Sequence, residues 1–164
     1  MAQRVVFSDA SPLIALSLVD GLGWLQNLFG VVCITDVVAE ELLPGSNRSG
    51  ETEIAAAITG GSIHIVEDIW TEPAFPTLDE GEASTLRAAM NQAGSCLVII
   101  DEKAGRVVAS ELGLQVTGVV GVIIAARRQG LIPSAKDVFS TLLKQDFRLA
   151  DTLIDAALKS LGEE

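Results

Sequence analysis

The chain has 164 residues, 49% of them hydrophobic and 20% charged, which excludes a disordered segment and fits a single globular domain, residues 1–164, with a substantial core. Its formal net charge of −11 argues against a broad electropositive face for nucleic acid, because phosphate contacts rest on Lys and Arg. Aromatic residues at 4%, with no Tyr, argue equally against a base-stacking platform of aromatic side chains.

In chain order, "RVVFS" reads as a first strand and leads through Asp9 into the helix-like "SPLIAL". After a break at Gly21, "VVCIT" is a second strand and "TDVVAEELL" an amphipathic helix. The polar stretch "LPGSNRSG" is a loop, in which the glycosylation-like "NRS" at Asn47 is a chance match. Beyond the "TGG" break, "SIHIV" is a third strand that holds the lone His64 as an ordinary strand residue, and "TEPAFPT" is the next loop. A helix over "LDEGEASTLRAAMNQAG", a fourth strand "CLVII" and a fifth, "LQVTG", follow. After Gly130, "LIPSAKDVFSTLLKQ" and "RLADTLIDAALKSL" are two further helices, the first starting near Pro133 and Ser134. Strands alternating with helices predict an α/β fold with a mainly parallel sheet covered on both faces. The core is expected over about residues 4–130 and a C-terminal helical extension over about 131–164.

No positively charged leader precedes a long apolar run, and "LGLQVTGVVGVIIAA" falls short of a membrane span. Cys33 and Cys96 lack metal-ligand spacing and read as buried free thiols. A cytoplasmic protein with no membrane contact is the expectation.

Side chains at the C-terminal ends of parallel strands line the edge where open α/β folds bind ligands. Asp9 and Asp101 close the first and fourth strands, each before a helix start that favours negative charge; helix capping is the plainer explanation of either alone. Helical counting at about 100° per residue separates two pairs of glutamates. With Val37 as origin, Glu41 falls inside the apolar stripe of its helix and Glu40 outside it; in the later helix Glu82 lies near the apolar arc of Ala83, Leu86, Ala89, Met90 and Ala93, and Glu80 away from it. Asp79 and Glu82 also have capping-box spacing. Four inward or strand-end carboxylates, Asp9, Glu41, Glu82 and Asp101, repel one another unless a cation neutralises them, and hard oxygen donors select Mg²⁺ or Mn²⁺.

These residues resemble those of PIN-domain proteins, specifically a PIN-like subgroup carried as a domain of unknown function. The resemblance rests on "SDASPLIAL", "VVAEEL", "LDEGEA", "IIDEKAGRVVA" and "TGVVGV", five motifs in the right order between about Val5 and Gly130. It implies a three-layer α/β/α fold with central parallel sheet order 3-2-1-4-5, and a metal-dependent ribonuclease of the kind found among VapC-like toxins held by an antitoxin. Carried over, Asp9, Glu41, Glu82 and Asp101 are the catalytic, metal-binding acids. Ser11 is a hydroxyl beside the first of them, and Thr117 lies where the fifth strand reaches the site. Lys103 and Arg106, soon after Asp101, are candidates to hold a substrate phosphate; Arg127 and Arg128 read as solvated helix surface.

The expected function is therefore a Mg²⁺- or Mn²⁺-dependent endoribonuclease, with RNA as substrate, an antitoxin protein as partner and a homodimer as assembly. The alternative is a catalytically silent PIN-like binding or regulatory module, favoured by the acidic charge and opposed by the intact set of acids. Aspartyl-phosphate chemistry fits less well, because Ser11 stands where a phosphatase wants a second Asp, and Thr117 and Gly118 where a phosphoreceiver wants Lys.

Overall fold

The computed structural model describes residues 4–46, 48, 50–68, 74–92 and 94–164; Asn47, the start of the "TEPAFPT" loop and Ala93 lie outside the described residues. Strands β1 (Val5–Ser8), β2 (Val32–Thr35), β3 (Ile63–Val66), β4 (Cys96–Ile99) and β5 (Gln115–Thr117) form one parallel sheet in the order β3-β2-β1-β4-β5. Each falls within its expected run. The connecting helices are α1 (Ala10–Leu18), α2 (Leu22–Phe29), α3 (Asp36–Leu42), α4 (Glu51–Thr59), α5 (Glu80–Met90), α6 (Lys103–Glu111) and α7 (Val119–Arg128); α8 (Ala135–Lys144) and α9 (Asp151–Leu161) complete the chain.

The period of two along a strand divides the core into two layers. Val6, Leu97 and Ile99 pack with residues of α1, α2, α3, α4 and α7, extended by Phe139 of α8 and Ile154 of α9. Their neighbours Phe7, Val98 and Ile100 face the other way, onto Ala83, Leu86 and Ala89 of α5 and Ala109 of α6. β4 is buried throughout because it is covered on both faces, which is why it reads as a continuous apolar run rather than an alternating one. The edge strands carry the exposed residues His64, Ile65 and Gln115. Cys96 is buried and Cys33 half-buried; both are free thiols. Among the described residues no helix is long and apolar enough to cross a membrane.

Helix α8 starts at Ser134, whose hydroxyl accepts from the Asp137 amide at 3.1 Å. A second clamp comes from the far end of α9. Gly162 takes the left-handed conformation (φ 70°) that ends the helix, with the Glu163 amide donating back to the Leu158 carbonyl at 2.9 Å. The Glu163 carboxylate then accepts from Ser134 Oγ, Ala135 N and Lys136 N at 3.1, 3.0 and 3.3 Å, and lies 3.3 Å from Arg127 Nε. Arg127 is therefore engaged at the helical layer.

Candidate active site at the carboxyl edge of the sheet

β1 and β4 are adjacent, with Ser8 opposite Ile99. Main-chain pairing continues up to the acids: the Asp9 amide donates to the Ile99 carbonyl at 3.0 Å and the Ile100 amide to the Thr117 carbonyl at 2.9 Å. Asp9 and Asp101 thus leave neighbouring strands at the same edge. Asp9 is 4% exposed and stands at the N-cap position of α1, yet its side chain makes no capping hydrogen bond and its Oδ1 has no hydrogen-bond partner among the described residues. Burial pushes its pKa from 3.8 up to about 7, against the pull of the Ala10 amide and with help from Asp79, Glu41 and Asp101. Asp101 does cap a helix, but not the one that follows it: its Oδ1 accepts from Val119 N of α7 at 2.8 Å, and Glu102 is the N-cap of α6. Its Oδ2 is buried without a partner among the described residues. Burial raises its pKa, while the Val119 amide and the Arg106 charge draw it back down.

Glu82 lies in the first turn of α5 and is 4% exposed, whereas the Glu80 side chain is 64% exposed, as helical counting expects. The cap and the inward-facing carboxyl coexist here. Asp79 Oδ1 accepts from Glu82 N at 2.8 Å and caps α5, while the Glu82 carboxyl turns inward. Its pKa rises to about 7, first through burial and then through Asp79 and Asp9. Met90 departs from the expected arc and is exposed.

Glu41 is corrected more substantially. The buried face of α3 is Val38, Ala39 and Leu42, and Val37, the origin of the count, is only half-buried. Recentred on those three residues, Glu41 sits about 100° off the axis of burial and Glu40 about 150° off. Glu41 is exposed at the border of the core, and its carboxylate reaches the site from that rim. Burial and Asp79 raise its pKa, and the Gly81 amide lowers it.

Glycine makes the approach possible. A Cβ on Gly81 would stand 2.6 Å from Glu41 Oε1 and 3.1 Å from Asp9 Oδ1, so acids from two elements converge over bare backbone. A Cβ on Gly118 would stand 2.7 Å from both Asp101 Oδ1 and Arg106 Nη1, and one on Gly105 would meet Glu82 Oε2 at 3.2 Å. These three glycines and the charge of Asp79 were not singled out in the sequence as site features. The only available signal for the glycines was their position inside helical or strand-end motifs, where a glycine costs stability and invites a packing reason.

Ser11, Lys103, Arg106 and Thr117 line one cleft of about 850 Å³ together with Asp101. Away from the site, Arg87 of α5, 1% exposed, holds Asp68 through Nη2 at 2.9 Å and Nε at 3.3 Å and lies 3.6 Å from Glu80. It anchors the helix that carries Glu82.

Among the described residues no three His, Cys, Asp or Glu side chains close into a cage for an ion. Mg²⁺ asks for less, since it keeps several waters and takes one or two carboxylates at octahedral geometry. An all-oxygen donor set with two buried, unpartnered carboxylate oxygens fits a hard divalent cation.

A three-layer α/β/α domain with acids gathered at the carboxyl edge of a 3-2-1-4-5 parallel sheet has a nuclease-like architecture. The family comparison is specific: a PIN-domain model matches residues 5–163, and the chain belongs to the PIN-domain family, in a subgroup of unknown function. The matched span includes α8 and α9. No curated protein gives a significant match. PIN domains are generally nucleases that act on RNA and typically use divalent metals.

Proposed function

We propose that this chain is a Mg²⁺- or Mn²⁺-dependent endoribonuclease hydrolysing RNA phosphodiesters, with Asp9, Glu41, Glu82 and Asp101 as its acids. One observation carries the reading: Asp9 Oδ1 and Asp101 Oδ2 are buried at adjoining strand ends with no hydrogen-bond partner among the described residues. Such oxygens lose their water without compensation, and a cation offsets that loss.

Asp9 and Asp101 would hold the ion, Glu41 flanking it across Gly81. A divalent ion held there would offset phosphodiester charge and ease deprotonation of the attacking water. Glu82, the buried acid at the start of α5, is the carboxylate offered to accept the proton of the attacking water. Ser11 and Thr117 offer hydroxyls to the phosphate, and Lys103 and Arg106 offset its charge.

Calorimetric titration with Mn²⁺ should show saturable binding that Asp9→Asn removes, together with cleavage of a labelled single-stranded RNA. Absence of saturable heat at millimolar metal sinks the reading. The net charge of −11 and the lack of a closed three-acid cage among the described residues favour the second reading, a catalytically silent binding or regulatory module; metal binding without cleavage would select it. Within the nuclease reading the chain is the toxin of a toxin–antitoxin module, a homodimer partnered by an antitoxin. Free cysteines support a reducing cytoplasm. Light scattering on the purified chain tests the dimer, with the monomer mass as the refuting result.

A further inference from the structure

Resting on the nuclease reading, we propose that the cleft between α6 and the α8–α9 connection is a base subsite, which takes one unstacked nucleobase of single-stranded RNA while Arg148 holds the phosphate beyond it. At about 850 Å³ the cleft falls in the range of small-molecule sites. Val107 of α6 and Leu153 of α9 both line it, 46% and 54% exposed, together with Phe147. Scattered exposed apolar residues are ordinary, but these share one concave lining, where an apolar surface left open to water favours a flat apolar guest.

The cleft begins at the candidate site. Asp101 and Arg106 line it, both crowding the bare backbone of Gly118. Arg148, from the α8–α9 connection, also lines it, and neither arginine makes an ion pair or side-chain hydrogen bond with the described residues. In a chain with a net charge of −11 this lining is balanced, Lys103, Arg106 and Arg148 standing against Asp101, Glu102 and Glu111, so the cleft repels a polyanion less than the chain as a whole does. A base stacked inside a duplex cannot enter, so the RNA must be single-stranded. Val107 and Leu153 make no hydrogen bonds with base edges, so packing on them requires a base without selecting which one.

The test is fluorescence anisotropy with two labelled probes, a ribouridine decamer and the same ribose-phosphate chain without bases, measured with chelator and with Mg²⁺. Wild type is expected to prefer the base-bearing probe by about tenfold, the scale of one buried or stacked base. Leu153→Glu should bring the two affinities together. Val107→Glu, on α6, should do the same, and it carries the test if the first variant does not fold. Arg148→Ala should weaken both probes and reduce the slope of log affinity against log salt by about one. Equal affinities in wild type, or a preference that survives both glutamate substitutions, overturn the subsite. Failure of the base-bearing probe to bind overturns it too and leaves the cleft to a protein partner. Cleavage without base preference defeats the subsite alone, whereas base preference without cleavage defeats the nuclease reading alone.

Discussion

Replacing Asp9 by Asn separates an ion ligand from a structural cap. The folded protein holds the Asp9 proton up to about pH 7, whereas a free carboxyl releases it near 3.8. Between those values the native state binds more protons than the unfolded chain, so stability falls as pH rises through the window and is lowest above it. The displacement is worth about 4 kcal/mol, an upper limit for a single substitution because Glu82, Glu41 and Asp101 titrate in the same field. Asn keeps the shape and removes the charge. With chelator at about pH 8, Asp9→Asn should therefore be at least as stable as wild type and more stable by as much as about 4 kcal/mol, an advantage that disappears at about pH 4. Added Mn²⁺ narrows the gap, and reverses the order where the mutant's lead is below about 2.7 kcal/mol: at a hundred times its Kd it stabilises wild type by about that much, while the mutant gains much less and loses nuclease activity. Melting curves of both proteins, with chelator and with Mn²⁺ at the two pH values, read all four terms. A mutant equally destabilised with and without metal, and still cleaving RNA, would refute the reasoning, because that is how a lost cap behaves.

Arg106→Ala should slow cleavage by about 100-fold, the scale of one lost charged donor, while titration calorimetry shows metal affinity nearly unchanged; an equal fall in metal affinity would mean that Arg106 instead holds Asp101 in place. Gly81→Ala puts a methyl group 2.6 Å from Glu41 Oε1 and should lower cleavage about tenfold with no loss of melting temperature, since alanine favours the helix by about 1 kcal/mol. Unchanged turnover would exclude Glu41 from the chemistry. Arg87→Ala should cost about 3 kcal/mol or more in denaturant unfolding by stranding Asp68, and a loss below about 1 kcal/mol would contradict the buried pair.

The strands were legible because each β-branched run is bounded by a break, and burial on both faces makes the central ones continuous. Their order came from the family resemblance alone, since local pattern carries no information on which strands pair. Helical counting located Glu82 because α5 spans three turns and averages over several apolar residues. It misplaced Glu41 because α3 has seven residues, and one half-buried valine at the origin tilts the whole count. Gly81, Gly118 and the Arg87–Asp68 pair were illegible for a different reason. Each acquires its meaning only where segments distant in sequence meet, and a glycine shows no sign of the carboxylate that will approach it.

The Glu163 clamp makes α8, its connection and α9 a closed ring, returning to Ser134 through hydrogen bonds instead of through the chain. The last turn of α9 cannot unwind without stripping the start of α8 of its acceptor, so both ends should open in one event. Hydrogen exchange at the Ala135 and Lys136 amides would then keep pace with exchange at the end of α9. The amides hold the Glu163 pKa below its ordinary value, so the clamp is complete above the normal carboxyl range and weakens as pH falls through the lowered value. Phe147, Arg148 and Leu153 ride on that ring, and acid should loosen the outer wall of the cleft before it disturbs the sheet.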